Sequence, residues 1–270
     1  MNYLKFLLVT SCLIGFIHSS SAQLKIITLN TINHQKTFDF IEIDNQGYLY
    51  LVSNDQIYKI DKTGKELYRY SNKALGKIEQ LDVSNSLRPI VFYKNQALIV
   101  LLDNTLSQQE DIINLSSINL DQTACIANSN FDNGIWFYDI AVNEIFKINK
   151  NAQIQFRSGN LSAILSHIHL PIISIHENNG NLYAQTSNEI LVFDQYGSLV
   201  HNFNIVTKHK PIYTKNAILY HEAESLMIYE MYDFSVSKIK LNNSYDYIHG
   251  TKNNLVGVKG NSIEIFEIKN

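Results

Sequence analysis

The sequence has little charge and no basic cluster. Lys and Arg total 22 against 25 Asp and Glu, which gives a formal net charge of −3. Nucleic acids and anionic membrane surfaces are usually bound through a basic patch, so we expect neither as a partner. After the first 22 residues, no apolar run approaches the ~20 residues that a membrane-spanning helix needs.

Cysteine is almost absent, since Cys12 and Cys125 are the only two. Cys12 lies in an N-terminal segment that we expect to be removed. Cys125 then has no intrachain partner, which excludes a disulfide scaffold. Stability must therefore come from burial of apolar side chains, and 45% of the 270 residues are hydrophobic. That composition is ample for a substantial core.

The N-terminal segment has the three parts of a secretory signal. Lys5 is its only charge, an apolar stretch runs over 6–17, and Ser20 and Ala22 occupy the −3 and −1 positions before Gln23. This pattern predicts a cleaved signal peptide over residues 1–22. We expect the mature chain, 23–270, to be a single domain in the periplasm and a monomer in isolation.

Two alternatives for this segment remain open. An uncleaved membrane anchor is disfavoured because the apolar run is short of the ~20 residues that span a bilayer. The stretch "VTSC" (9–12) resembles a lipobox, which would place a lipid on Cys12. Only four apolar residues separate Lys5 from its polar part, whereas the apolar region of a signal usually has ~7 or more. Lipoprotein anchoring is therefore the less favoured alternative.

The mature chain repeats itself. "GYLYLVSNDQIYKIDKTG" begins at Gly47, and "GNLYAQTSNEILVFDQYG" begins at Gly180, 133 residues later and without a gap. A third copy, "NLVGVKGNSIEIFEIKN", ends the chain. Each copy reads as a polar turn, a short apolar strand, a second turn and a second strand, and the first two add a further turn. This order of turns and strands predicts an antiparallel meander without βαβ units.

The spacing of the copies predicts six units. Intermediate strand pairs at 97–107 and 134–151 divide the first interval into three steps, and a pair at 225–243 divides the last into two. Four-stranded units of ~40–45 residues are the size of β-propeller blades. Many strands are apolar on both faces, as expected for blades packed between two neighbours. We predict an all-β, six-bladed propeller, with seven blades or an irregular β-sandwich as alternatives.

The two ends of the chain predict how the ring closes. The last copy stops after its "IEIFEI" strand and lacks an outer strand, while "LKIITLN" (24–30) near the mature N-terminus is a spare one. If the N-terminal strand completes the last blade, no unpaired edge remains there.

The blade pattern "LYLVSNDQIYKID", followed by "KTGKEL", resembles the broad NHL, SMP-30 and YncE-like group of propellers. The stretch 81–107 is similar to uncharacterised periplasmic propeller-like proteins of Bacteroidota. The resemblance covers nearly the whole mature chain and implies blade packing more than chemistry. Proteins in that cellular context include periplasmic accessory or plug subunits of envelope machines such as the type 9 secretion system. SMP-30-type enzymes hold a divalent metal in the channel, but their ligands cannot be matched to positions here.

Sequence motifs for catalysis are missing. The chain has no GxSxG nucleophile elbow, P-loop or GxGxxG motif. Cys125 lies in an apolar, strand-like setting and is interpreted as a buried thiol. Asp132-Asn133-Gly134 indicates a tight turn, because the other ligand positions of a calcium loop are absent.

A few residue pairs have the chemistry of a site but lack its surroundings. His167 and His169, followed by His176, would share one face of a strand and could hold zinc, but no HExxH motif or carboxylate-rich partner lies nearby. The carboxylate pairs Glu42/Asp44 and Glu222/Glu224 could serve acid–base chemistry. Each pair also flanks a turn, where solvated acids are common. We therefore predict no catalytic residue, metal or cofactor.

The remaining signal is aromatic. The chain has 16 Tyr and 13 Phe. Tyr232, Phe234, Tyr245 and Tyr247 lie in the more degenerate part of the repeat, and together they are our candidate partner-facing patch. For a single one of these tyrosines, packing between blades is the commoner role. The sequence thus favours a non-catalytic protein-binding scaffold or accessory subunit of a cell-envelope complex. One alternative is a plug or accessory subunit of an outer-membrane translocon. The other is a metal-dependent hydrolase or lactonase, or a small-ligand binder, that uses the central channel.

Overall fold

Six four-stranded antiparallel sheets form a six-bladed β-propeller in the computed structural model, which describes residues 25–165, 167–251 and 253–269. The prediction of six blades is therefore confirmed. The predicted signal peptide and Cys12 lie outside the described residues, so its cleavage and the absence of a lipid stay predictions.

In each of the first three blades the strands run in chain order from the channel outward. Blade 1 contains β2 (Phe40–Ile43), β3 (Leu49–Ser53), β4 (Gln56–Ile60) and β5 (Glu66–Ser71); blade 2 contains β6 (Gln80–Asp82), β7 (Ile90–Tyr93), β8 (Leu98–Leu101) and β9 (Ile113–Asn114); blade 3 contains β10 (Thr123–Asn128), β11 (Ile135–Asp139), β12 (Glu144–Ile148) and β13 (Ile154–Arg157).

Blades 4 and 5 follow the same rule, whereas blade 6 takes its outer strand, β1, from the start of the chain. Blade 4 contains β14 (Ser174–Asn178), β15 (Asn181–Gln185), β16 (Ile190–Phe193) and β17 (Leu199–Phe203); blade 5 contains β18 (Ile212–Tyr213), β19 (Ala217–Glu222), β20 (Ser225–Glu230) and β21 (Val236–Lys240); blade 6 contains β22 (Tyr247–Gly250), β23 (Leu255–Lys259), β24 (Ser262–Lys269) and β1 (Lys25–Asn33).

The first and last strands close the ring, as the sequence predicts. β1 pairs antiparallel with β24 from Lys25 opposite Lys269 to Asn33 opposite Ser262, with one register shift between Thr28 and Asn30. This pairing covers the edge that β24 would otherwise expose.

Apolar packing between neighbouring blades forms the core. The buried side chains fall into six clusters, one at each interface between adjacent blades. At the interface of blades 2 and 3, for example, Phe92 and Ile99 meet Phe137 and Phe146. Strands such as β7, β11 and β16 are buried along their whole length because both of their faces contact a neighbouring blade. This is the physical basis of the doubly apolar strands in the sequence.

The repeated "D-x-x-G" lies in the turn between the third and fourth strands, where the side chain of its first residue caps the turn. In Asp61 the Oδ1 atom accepts hydrogen bonds from the backbone N–H of Thr63 at 2.8 Å and of Lys65 at 3.0 Å. Asp103, Asn149 and Asp194 make the same pair of bonds in the next three blades. The repeat therefore encodes turn geometry, since an Asx side chain satisfies backbone donors that the turn leaves open.

Within the described ranges, helical structure is confined to short connections. α1 (Leu161–Ile164) and three 3-10 turns, Lys73–Leu75, Lys94–Gln96 and Leu115–Ile118, link strands within or between blades. In the part of the chain that the structure describes, no helix has the length and apolarity that a bilayer crossing would require.

Ring closure can be tested at β1. Ile32 is 8% exposed and packs in the cluster between blades 6 and 1, whereas Leu29 on the same strand is 54% exposed. Changing Ile32 to Ala should lower the free energy of unfolding by ~2–3 kcal/mol, because it removes buried methyl groups and leaves a cavity. Leu29→Ala should change it by less than ~0.5 kcal/mol. Equal, small effects in urea unfolding would show that β1 does not stabilise the seam.

Candidate functional site

The six innermost strands surround a central channel that opens on two faces. Successive strands alternate in direction, so the turns between first and second strands and between third and fourth strands lie on one face, here called face 1. The turns between second and third strands and the connections between blades lie on the other, face 2. Asn45, Ser84, Asn130 and Asn178 border a cavity of about 350 Å³ on face 1. Residues near the strand starts, such as Phe40 and Tyr247, border one of about 510 Å³ on face 2.

A layer of ionisable side chains separates the two cavities. Glu42, Lys210 and His249 line both of them. Glu42 Oε2 lies 2.7 Å from His249 Nε2, and Glu42 Oε1 accepts a hydrogen bond from Lys210 Nζ at 3.2 Å. Glu42 belongs to β2, His249 to β22, and Lys210 to the segment that leads into β18. The layer thus joins blades 1, 5 and 6 across the closing seam.

A second carboxylate is fully engaged between blades 2 and 3. Asp82 accepts hydrogen bonds from the backbone N–H of Ser84 at 2.8 Å and of Asn128 at 3.0 Å. Its neighbour in β6, Gln80, bonds through its side-chain amide to both backbone groups of Ile126, at 2.6 and 3.0 Å. The channel-facing side chains of β6 therefore hold β10 in place by hydrogen bonds, and Asp82 is not a free acid.

The pKa values of these groups reflect burial opposed by their partners. Burial alone would raise the pKa of Glu42, but His249 and Lys210 hold it at about 2. Burial would lower the pKa of Lys210, but Glu42 and Asp82 raise it above its usual value. Glu42 and Lys210 are therefore a stable ion pair at neutral pH.

His176 lines the face 1 cavity and lies near Lys210, Asp82 and Glu42. Its ring stacks on that of Tyr213 with centroids 5.4 Å apart, and its buried Nδ1 has no hydrogen-bond partner among the described residues. Burial and the nearby Lys210 charge lower the pKa of His176 to about 4. It is therefore neutral near pH 7 and a weak base there.

The four aromatic residues predicted as one patch do not lie together. Tyr232 and Phe234 are 93% and 60% exposed in the turn between β20 and β21, on face 1. Tyr245 and Tyr247 lie at the opposite end of the fold, in the connection into β22 and at its first residue. The blade topology thus sends the two pairs to opposite faces of the propeller. Whether any of the four binds a partner stays a prediction.

Tyr245 and Tyr247 also have packing roles. The Tyr245 ring occupies the space left by the missing side chain of Gly257, and its hydroxyl donates to Glu264 at 2.6 Å. Tyr247 is half-buried beside His209 and borders the face 2 cavity. We expect changes at these two positions to disturb folding, which makes them poor probes of an interface.

The other sequence candidates do not form sites. His167 and His169 lie outside any strand, and His169 lies 3.4 Å from Glu189 while His176 is in β14. Across residues 25–165, 167–251 and 253–269 there is no group of three His, Cys, Asp or Glu able to hold a metal ion.

The two carboxylate pairs that the sequence offers do not form sites either. Asp44 caps its own turn and accepts from the Tyr50 hydroxyl at 3.0 Å, separate from the ion pair of Glu42. Glu222 and Glu224 flank the exposed turn between β19 and β20. Burial raises the pKa of the Cys125 thiol to about 12, so it is not a nucleophile at neutral pH.

The sequence indicates only some of the ionisable residues that line the channel. Glu42 and His176 stand out in it as members of other candidate pairs, whereas Asp82, Lys210 and His249 do not. A signal exists in the blade register: an aliphatic residue followed by a charged or imidazole side chain recurs in four innermost strands, as Ile41-Glu42, Leu81-Asp82, Ile175-His176 and Ile248-His249. Lys210 has no such signal because it precedes its strand.

Comparisons with known proteins show the fold. No family model matches the sequence, and no curated protein matches it. A Bacteroides thetaiotaomicron protein of unknown function is similar over 92% of this chain and 76% of its own, at 9% identity and a TM-score of 0.66. A catalytically inactive variant of virginiamycin B lyase from Staphylococcus aureus, with quinupristin, is similar over 91% of this chain and 99% of its own, at 14% identity and a TM-score of 0.59. BamB of Moraxella catarrhalis is similar over 90% of this chain and 98% of its own, at 9% identity and a TM-score of 0.52. At these identities the similarity extends to the propeller fold alone.

The ion pair in the channel predicts a large effect of a small change. Glu42→Gln should lower the free energy of unfolding by ~2–4 kcal/mol, because it removes the charge that both Lys210 and His249 contact in a largely buried site. Glu66→Gln is the matched control: its side chain is 43% exposed and pairs with Arg69 at 2.8 Å. That exposed pair should contribute less than ~0.5 kcal/mol. Similar effects of the two changes in thermal or urea unfolding would contradict a buried pair.

His176 predicts a pH dependence of stability. The folded state holds its pKa at about 4, against 6.5 for the free side chain. Between these values the unfolded chain binds more protons, so stability falls as the pH drops from 6.5 towards 4. His176→Phe should remove this contribution, on the order of 2–3 kcal/mol across the window. Urea unfolding at a series of pH values from neutral down to the folded pKa measures it, and parallel pH curves for wild type and variant would be the contrary result.

Proposed function

We propose that the protein is a non-catalytic, periplasmic binding subunit that holds a protein partner of the cell envelope, such as a component of an outer-membrane translocon, on face 1. The observation that carries the proposal is the one-sided distribution of exposed aromatic side chains. Among the described residues, Phe131, Tyr196, Tyr232 and Phe234 are 60–93% exposed, and all four lie in turns of face 1. The large exposed residues in the turns and connections of face 2 are aliphatic: Ile140, Val142, Ile164, Ile173 and Val206.

Aromatic side chains suit a protein interface. They bury large areas while losing few rotamers, and they dominate the energetics of many interfaces. Four of them on the rim of a rigid ring form a platform whose geometry the blades fix. Leu87, 67% exposed, extends this apolar set, and its loop is tied to the Phe131 loop because Arg88 donates to Gly134 O at 2.8 Å.

The backbone at Phe234 strengthens the argument. Phe234 has φ of +59°, in the left-handed region that favours Gly and Asn, and its side chain is 60% exposed. A bulky side chain in this conformation costs roughly 1–2 kcal/mol and here buries little of itself in the monomer. A residue that breaks a local rule without a gain in folding is typical of a functional surface.

The channel supports binding more than catalysis. Its described carboxylates are engaged, Glu42 by Lys210 and His249, and Asp82 by backbone N–H groups. The predicted secretory signal supports a periplasmic location. The proposal therefore rests on face 1 and not on a reaction in the channel.

The face 1 interface can be tested by in-cell cross-linking. A tagged protein with Tyr232→Ser and Phe234→Asn should lose its main cross-linked partner at least tenfold relative to wild type. Its melting temperature should be unchanged or higher, because Asn adopts a positive φ more readily than Phe. Capture is quantified by mass spectrometry of the purified cross-linked species.

The matched control lies on face 2. Val142 and Val206 are 38% and 68% exposed there, and the double variant Val142→Ser/Val206→Ser should retain the partner. Loss of the partner in the face 2 variant alone, or full capture by both variants, would rule out face 1 as the binding surface.

A further inference from the structure

The face 1 cavity has a nearly balanced set of charges. The acidic residues of its lining are Glu42, Asp82 and Glu177, and the lysines are Lys210 and Lys215. Glu177 is buried, and its oxygens accept from the backbone N–H of Asn130 at 2.8 Å and from Trp136 Nε1 at 2.6 Å. The acids and Lys210 are thus held by groups of the protein itself. An anionic ligand would meet Glu42 and Asp82, and a cationic one would meet Lys210, so the cavity favours a neutral ligand.

The free hydrogen-bonding groups of the cavity include several amide oxygens. Asn45 and Asn178 donate Nδ2 to the backbone carbonyls of Ser84 and Thr214 in the next blade, at 3.2 and 2.9 Å. Asn130 donates Nδ2 to Ser84 Oγ at 3.3 Å. The three Oδ1 atoms accept no hydrogen bond from a described residue, so they are available to donors of a ligand.

Two further polar groups belong to residues that line the same cavity. Tyr213 is only 7% exposed, and its buried hydroxyl has no partner among the described residues. The buried Nδ1 of His176, which stacks on Tyr213, is in the same situation. Both residues line the cavity, as does Thr251. Buried polar groups are almost always hydrogen-bonded, so two unpartnered atoms on neighbouring residues that line one cavity point to a group that completes them.

A hydroxyl group meets both needs, because it donates one hydrogen bond and accepts others. The cavity volume of about 350 Å³ lies at the lower end of the range for small-molecule sites. We propose that the face 1 cavity binds a neutral, polyhydroxylated ligand, namely a sugar ring or the end of a saccharide chain. This inference does not depend on the protein partner.

Titration of the purified protein with matched sugars tests the ligand class. The neutral probes are the methyl glycosides of glucose, galactose, mannose and N-acetylglucosamine; the charged probes are glucosamine and glucuronate. Saturation-transfer NMR should give a saturable Kd below about 10 mM for at least one neutral probe. Binding should be insensitive to salt, because no net charge is neutralised.

Two conservative variants locate the site. Tyr213→Phe and Thr251→Val should each weaken binding ~3–10-fold, the amount expected for one hydrogen bond. Tyr213→Phe should leave the melting temperature equal or higher, because the hydroxyl it removes is buried without a partner among the described residues. Tyr220→Phe, in β19 and outside the cavity lining, is the control and should bind as wild type does.

Three results would overturn the proposal. One is the absence of saturable binding for all four neutral probes. Another is at least tenfold tighter, salt-sensitive binding of glucosamine or glucuronate, which would make the site one for a charged ligand. The third is binding that Tyr213→Phe and Thr251→Val leave unchanged, which would place the sugar elsewhere on the protein.

Discussion

Packing of every blade between two neighbours is the constraint on which the structure depends. A blade such as β10–β13 has buried apolar side chains on both faces of its middle strands, so an isolated blade would expose one of them to water. Burial is complete only when the ring is closed. In this chain β1 completes the last sheet, and Ile32 joins the cluster between blades 6 and 1. The first strand of the described chain thus stabilises the last blade.

Closure also determines the chemistry of the channel. Glu42 and His249 come from the two blades that meet at the seam, and Lys210 approaches from the segment before blade 5. Each would be costly to bury alone, and together they satisfy one another. The resulting layer divides the channel into two cavities with different walls. The one on face 1 is rich in amide and hydroxyl groups, whereas the one on face 2 includes Phe40, Phe92 and Ile248.

The turns distribute surface chemistry between the faces. Asx caps such as those of Asp61 and Asp194 fix the turns of face 1 and allow adjoining positions to vary. Tyr196 and Phe234 occupy such positions and are exposed. Rigid elements that present variable turns are typical of binding surfaces. A protein partner on the rim and a small neutral ligand in the central cavity would therefore use the same face through different residues.

The sequence by itself determined the propeller, its six blades and the closing strand. These follow from local rules, namely strand-length apolar runs, Asx turns at fixed spacing and a missing outer strand in the last copy. It also singled out Glu42 and His176, but only as members of a carboxylate pair and of a group of histidines. The tertiary structure alone decided that Glu42 pairs with Lys210 and His249, which are 168 and 207 residues away. It also separated Tyr232 and Phe234 from Tyr245 and Tyr247, which are close in sequence. The physical reason is that strand direction and ring closure, not distance along the chain, determine which side chains meet.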